Sequence, residues 1–253
     1  MFKNAIARKP CAEMINGITT STEGKPDFEL ASKQHLLYIE ALQACGLNVQ
    51  VLDADPRFPD STFIEDVAVC TPHCGIVTNP GALSRRGERD AMSGVLAGYY
   101  ENVHEITSPG TLDAGDVMMV GSDYYIGLSE RTNENGASQL IRILKNYNLK
   151  GITVKMDKML HLKTGLSYIE NNNLLISHQF INDKTFDHFN KILIDDDEAY
   201  SANSLWINGT VLVPKGYPRT RDKIIKAGYK TIEVDTSQFR KLDGGLSCLS
   251  LRF

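Results

Sequence analysis

The chain ends on DGGLSCLSLRF (Asp243–Phe253) and begins on MFKNAIAR (Met1–Arg8). The tail reads as a short apolar strand with no second strand after it. The head, Phe2 to Ala7, reads as a strand with no partner before it. Elsewhere such strands come in pairs. Glu65-Asp66 precedes VAVC and then GIVT, and Gly115-Asp116 precedes VMMV and then YYIG. Thr164-Gly165 precedes LSYI and NLLIS, and Ala202-Asn203 precedes SLWI and TVLV. Each unit is a small or acidic doublet, an apolar strand, a tight turn and a second strand. Gly244-Gly245 before LSCLSLRF opens the fifth, and the unpaired head supplies the strand this unit lacks. The pattern predicts five units of roughly 40–50 residues closed into a ring by the N-terminal strand. The competing reading is the loose strand–turn–strand similarity that any α/β chain produces.

Helices are predicted between the strands. Phe28–Cys45 reads as one, with Asp27 as N-cap, Gly46 just past the end, and Leu30, Leu37, Ala41 and Cys45 on one face. Others are expected near Arg85–Ala97, Glu134–Lys145 and Arg219–Ala227, the last stopped by Gly228. Asn208-Gly209, between SLWI and TVLV, is a type I′ hairpin signal, since both turn residues need positive φ. No low-complexity linker or composition break interrupts the chain, so residues 1–253 are expected to form a single domain.

Composition narrows the partners. A net charge of −4 argues against nucleic acid or an anionic membrane surface as a ligand. MFKNAIARKP has no apolar stretch suited to a signal peptide, and no apolar run approaches the length of a bilayer span. Five cysteines without framework spacing suggest reduced thiols and a cytoplasmic protein.

Polar residues gather where the units' first strands begin: Asp60, Glu65 and Asp66 in PDSTFIED, Asp113 in TLDAGD, His161 in HLKTG and Cys248 in DGGLSC. In a ring of such units these positions converge. Glycines before Cys248 allow close approach to the thiol, and a nearby His could activate it as a nucleophile. A buried core cysteine is the alternative. Asp113 either orients an imidazole or caps a turn in its Gly-rich stretch. Carboxylates at the mouth of a buried strand suit a planar cation such as guanidinium. Arg85 and Arg131 could clamp a carboxylate, or could serve helix ends and surface pairs. Cys70, His73 and Cys74 lack a second ligand pair, so zinc is not expected there.

Together PDSTFIED, GALSRRGE, TLDAGDV, LSERTN, HLKTG, ANSLWING, GYPRTR and DGGLSCLSLRF resemble the dimethylarginine dimethylaminohydrolases, from Met1 to Phe253 and in order. The resemblance implies a five-bladed α/β propeller of the pentein type, built of pseudo-fivefold ββαβ units. It implies hydrolysis of asymmetric dimethylarginine or monomethylarginine to citrulline and dimethylamine or methylamine, through a covalent cysteine thiouronium intermediate and without a cofactor. Cys248 falls on the nucleophile, His161 on the general acid/base and Asp113 on its acidic companion. Asp60, Phe63, Glu65 and Asp66 fall on substrate-pocket positions, Arg85 and Arg131 near the substrate carboxylate, and the carbonyls of Ile18 and Leu242 at its α-amino group. Ile18 lies in a segment, residues 16–25, that could act as a lid. Some members carry Leu at the Ile18 position and Glu at the Asp113 position. A backbone contact tolerates the first change, and the second shortens the carboxylate by a methylene. The expected partner is a small-molecule substrate, with no nucleic acid and no membrane, and a homodimer stays open. An arginine deiminase-type hydrolase and a non-catalytic binder of arginine-like cations are the rival readings.

Overall fold

The computed structural model of the chain describes residues 1–157 and 159–253. Among the described residues there are five three-stranded sheets, all with one plan: an antiparallel pair, then a third strand parallel to the pair's second member. A parallel third strand cannot follow a tight turn and needs a crossover, which is where the helices sit. The chain divides into two compact units, one made of Met1–Ile64 with Gly165–Phe253, the other of Glu65–Thr164.

The Glu65–Thr164 unit holds two sheets. One pairs Ala68–Cys70 with Gly75–Val77 and then Val103–Glu105, and the other pairs Val117–Val120 with Asp123–Leu128 and then Lys150–Lys155. Its core gathers Ile76, Ile106, Leu112, Tyr124, Ile126, Leu140 and Leu144. The Glu134–Lys145 helix is capped by Asn133, whose side chain accepts the Gly136 N–H. Gly136 cannot be larger, because a Cβ there would lie 2.0 Å from the Thr111 carbonyl oxygen. The helix expected over Arg85–Ala97 is instead a 3-10 segment, Leu83–Arg89, followed by a short α-helix, Met92–Ala97. The break follows from Arg85 and Glu88, both buried: their side chains bond each other across one tight turn.

The other unit holds three sheets. Leu166–Tyr168, Asn173–Ile176 and Asn190–Leu193 form one, with 3-10 segments rather than an α-helix in the crossover. Leu205–Ile207, Thr210–Pro214 and Lys230–Val234 form the second. The third joins the ends of the chain. Leu251–Arg252 runs antiparallel to Asn4–Arg8, with Ile6 opposite Leu251, and Asn48–Leu52 lies parallel on the far side. The head strand therefore does complete the last repeat. LSCLSLRF is less regular than expected, however. Ser247–Leu249 is a 3-10 turn, and the strand is only two residues long.

The Phe28–Ala44 helix starts on the Asp27 cap, which accepts the Leu30 N–H. Its buried face is not the one that aliphatic spacing suggested. Leu30 and Leu37 are exposed, whereas Ala31, Gln34, His35, Tyr38, Ile39, Ala41 and Leu42 are buried. Polar partners make this possible. Gln34 bonds Ser237 and the Gln238 backbone, and the Tyr38 hydroxyl bonds the Leu246 carbonyl and Ser250. Once paired, these side chains bury at little cost, and their apolar bodies fill the core. No helix among the described residues is long and apolar enough to cross a membrane.

The Asn208-Gly209 turn has φ 49° and 93°, as a type I′ hairpin requires. Asn208 does more than turn. Its Oδ1 accepts the Phe2 N–H at 2.9 Å, and its Nδ2 donates to the carbonyls of Phe2 at 2.9 Å and Cys45 at 3.1 Å. One hairpin tip thus pins the start of the strand that completes the fifth sheet. Asn208→Ala is expected to lower the unfolding free energy by about 1–3 kcal/mol in urea titrations. An unchanged midpoint would show that these bonds do not hold the chain's first strand.

Candidate active site

In every repeat a short helical turn precedes the first strand. The turns are Ile64–Val67, Ala114–Asp116, Leu162–Gly165, Asp196–Ala202 and Ser247–Leu249. They carry or adjoin the doublets and the candidate residues. A tight turn at a strand's mouth aims a side chain and leaves N–H groups available to carboxylates.

In the Glu65–Thr164 unit, His161 stands just before its turn and is buried. Its Nε2 donates to Asp113 Oδ2 at 3.1 Å and lies 4.0 Å from Asp66 Oδ1. Asp113 Oδ1 accepts the Gly81 N–H at 2.8 Å, and Asp113 makes no side-chain cap to its own turn. Between the two readings of Asp113, the structure shows the imidazole partner. Asp66 Oδ1 accepts the Gly115 N–H at 3.1 Å, and its Oδ2 accepts Arg85 Nη1 at 2.6 Å. Gly115 has to be glycine here, since a Cβ would lie 2.8 Å from both Asp66 Oδ1 and His161 Nδ1. Lys163 Nζ meets Glu65 Oε1 at 2.7 Å.

The charges set the protonation states. Burial disfavours an imidazolium at His161, but Asp66, the bond to Asp113 and the nearby Asp116 outweigh it. They raise its pKa to about 9 from the ordinary 6.5. Burial likewise works against the Asp66 charge, yet His161 and Arg85 hold that carboxyl below its usual range. The unit therefore presents a cationic histidine beside the ionised Asp66 carboxylate at neutral pH. Asp66, Asp113 and His161 also place their ligand atoms within 4.8 Å of one another. A metal would have to displace the His161 proton and compete with Arg85 for Asp66, so the set suits proton transfer better than coordination.

The two arginines differ. Arg85 is buried and forks onto Glu88, Nε to Oε1 at 2.9 Å and Nη2 to Oε2 at 2.8 Å, besides its bond to Asp66. The alternative of internal pairing thus describes much of what its side chain does. Arg131 is half-buried, and its side chain makes no ion pair among the described residues. Gly81 passes so close beneath it that a Cβ would lie 2.5 Å from the Arg131 backbone.

In the unit made of Met1–Ile64 and Gly165–Phe253, Cys248 is half-buried on the Ser247–Leu249 turn, not on a strand. The Gly245 N–H points at Sγ, 3.4 Å away, as an anionic sulfur would favour. Asn203 fixes the turn. Its Oδ1 accepts the Ser247 N–H at 2.9 Å, and its Nδ2 donates to Ser247 Oγ at 3.0 Å. A Cβ on Gly245 would meet Asn203 at 2.6 Å, and one on Gly244 would meet the Phe63 ring at 2.1 Å. The glycines therefore let Asn203 and Phe63 press against the chain ahead of the thiol. The Tyr200 hydroxyl donates to the Gly244 carbonyl at 2.8 Å.

Asp60 Oδ1 accepts the Ile18 N–H at 3.0 Å. Leu242 is buried with Phe63 and Leu246, whereas Ile18 is exposed. The segment expected to act as a lid is fastened down. Thr19 Oγ1 donates to the Lys241 carbonyl at 2.8 Å, Thr20 bonds the Asp243 carboxylate through its N–H and hydroxyl, and Glu23 pairs with Arg240 at 2.8 Å. Glu88, Lys163, Asn203 and Asp116 had no role in the sequence reading. Two of them did carry a signal, because Asn203 and Asp116 each close a doublet at the same place in a repeat.

The family model described as N,N dimethylarginine dimethylhydrolase, eukaryotic, matches residues 6–199. An N(G),N(G)-dimethylarginine dimethylaminohydrolase from Pseudomonas aeruginosa is 51% identical over 100% of both chains. The structure of a cysteine-to-serine variant of such an enzyme from Pseudomonas aeruginosa, complexed with citrulline, matches with a TM-score of 0.99 at 51% identity, covering 100% of each chain. A histidine-to-glycine variant of a dimethylarginine dimethylaminohydrolase, solved as an adduct with S-methyl-L-thiocitrulline, matches with the same TM-score, identity and coverage. At this similarity the fold class is the pentein-type α/β propeller that the resemblance implied, in keeping with the five repeats read from the sequence. The chain belongs to the dimethylarginine dimethylaminohydrolase family.

Proposed function

We propose that the chain hydrolyses Nω-methylated arginine, as asymmetric dimethylarginine or monomethylarginine, to citrulline and dimethylamine or methylamine. The observation that carries this reading is the 51% identity, over the whole of both chains, to an enzyme of that name. The local geometry supports it: a thiol faced by a backbone N–H, and a buried cationic histidine bonded to a carboxylate.

The guanidinium carbon is a poor electrophile, because resonance spreads its charge over three nitrogens. The site must keep the group cationic and hold it in line with the sulfur. Asp60, Glu65 and Asp66 supply the negative charge for this. Phe63, packed on Gly244, is a wall of the pocket. Arg131, without an ion pair of its own, takes the substrate carboxylate, and Arg85 adds positive charge while bracing Asp66. The carbonyls of Ile18 and Leu242 accept the α-ammonium.

The Cys248 thiolate forms a C–S bond to the guanidinium carbon. The bond from that carbon to the methylated nitrogen then breaks, and His161 gives its proton to the departing amine. A cationic S-alkylthiouronium and a neutral His161 remain. Water adds to the same carbon while His161 takes a proton from it. Collapse breaks the C–S bond and returns the thiolate, the hydroxyl proton of the adduct passes through solvent to the free amine, and citrulline is released. Asp113 keeps the ring oriented through both transfers. Water is the co-substrate, and no other cofactor enters the scheme. A thiol nucleophile has to stay reduced, so the compartment proposed is the cytoplasm.

A citrulline assay over arginine, monomethylarginine and asymmetric dimethylarginine tests the reading. Turnover is expected on the methylated forms, and a clear preference for arginine would favour a deiminase. Cys248→Ser is expected to bind methylarginine but to lose roughly three orders of magnitude or more in citrulline formation. Near-normal turnover in that variant would remove Cys248 from the mechanism.

The pH profile tests His161. Amine release needs the protonated ring, whose pKa in the folded protein is about 9. Turnover limited by amine release should therefore hold through neutral pH and fall as pH rises through about 9. His161→Ala should abolish release of the amine. A wild-type kcat with that limb intact in His161→Ala would rule out the proton-donor role.

A further inference from the structure

Asp116 is fully buried and directly follows Gly115, whose backbone lies against the His161 ring, and it has no role in the reaction scheme above. A carboxylate this deep is costly unless its oxygens are bonded. Its Oδ1 accepts the Leu162 N–H at 2.9 Å. Its Oδ2 accepts two hydroxyls, Ser129 Oγ and Thr132 Oγ1, each at 2.6 Å. What these partners hold is the point. Leu162 follows His161 in the chain and opens the turn that fixes it. Thr132 Oγ1 in turn accepts the Asp113 N–H at 3.2 Å. Ser129 Oγ accepts the N–H groups of Arg131 at 3.0 Å and Thr132 at 3.1 Å.

We propose that Asp116 is the positioning residue of this site. One buried carboxylate holds the backbone under His161 through Leu162, the backbone under Asp113 through Thr132, and the turn bearing Arg131 through Ser129. The proton donor, its orienting carboxylate and the candidate carboxylate clamp thereby share a single anchor. Burial pushes the Asp116 carboxyl above its usual range, His161 and the bonds from Ser129, Thr132 and Leu162 oppose that, and the polarity of the bonds favours the charged form. Ser129 Oγ accepts two backbone N–H groups and Thr132 Oγ1 accepts one, and each donates its own hydrogen to Asp116. An ionised carboxylate accepts all three bonds at once. An amide would turn one oxygen into a donor that those hydroxyls have little capacity to receive.

The same charge acts on the imidazole. The ionisable groups around His161 are the carboxylates Asp66, Asp113 and Asp116, with Arg85 on Asp66 and Lys163 on Glu65. Removing the Asp116 charge leaves the cationic groups in place and takes away part of what keeps the ring protonated. The role in catalysis rests on the proposed hydrolysis, but the effect on His161 does not.

The test is Asp116→Asn in the full chain, read in two ways. NMR titration of the His161 imidazole needs no substrate; its pKa is expected to move down by about one unit or more. Citrulline formation from methylarginine should lose about tenfold or more in kcat, with the basic limb shifted the same way. If the variant folds, keeps the wild-type His161 titration and retains kcat within about twofold, the proposal is overturned. If it does not fold, Thr132→Val decides. That variant is expected to lower kcat several-fold while Thr132→Ser, which keeps the hydroxyl, restores it. A wild-type kcat in folded Thr132→Val would overturn the proposal. If the wild-type chain does not turn over methylarginine at all, the function fails while the titration still judges the anchor.

Discussion

The structure of the Glu65–Thr164 unit depends on one charge balance, a histidinium set among buried carboxylates. Burying any of these groups alone would cost several kcal/mol. Asp113 accepts from the ring, Asp66 lies close and is itself neutralised by Arg85, and Glu88 completes the Arg85 fork. Each group is tolerable because the next is present. Such a network contributes less to stability than to orientation: removing one member leaves another charge uncompensated, so the arrangement has few alternatives. For the proposed donation to an amine leaving group the ring has to be charged at neutral pH yet aimed in a single direction, and this balance supplies both.

The thiol is handled by different means. Asn203 bonds the Ser247 N–H and hydroxyl, Arg252 Nη1 donates to the Ser247 carbonyl at 2.9 Å, and Gly244-Gly245 let Asn203 and Phe63 close on the chain just before the turn. Hydrogen bonds at Ser247 and close packing on the two glycines position the sulfur, and the Gly245 N–H points at it. The division suits the roles proposed for the two groups, a nucleophile placed by its turn and an acid that is charged as well as placed.

The repeats were legible because they rest on local rules. Strand pairs, the Asn208-Gly209 turn, the Asp27 cap and the head strand beside Leu251–Arg252 all follow from patterns of a few residues. Errors arose where packing overrides spacing. The Phe28–Ala44 helix buries Gln34 and Tyr38 and exposes Leu30 and Leu37, since the distant partners Ser237 and Leu246 bond the polar atoms. The Arg85–Ala97 region breaks into two because Arg85 turns inward to Glu88 and Asp66.

By itself the sequence determined the repeated α/β plan, the completion of the last sheet by the first strand, and the residue types of a thiol–imidazole–carboxylate chemistry. Family-wide motifs narrowed that chemistry to methylated arginine. Only the tertiary structure decided which carboxylate does what. Asp113 meets the imidazole, Asp66 meets Arg85, Glu65 meets Lys163 and Asp116 meets backbone and hydroxyls, although in the chain all are simply acids beside apolar strands. The physical reason is that a carboxylate's role is set by the donors that reach it, and those donors come from segments 13 residues away, for Ser129 on Asp116, to 98 residues away, for Lys163 on Glu65.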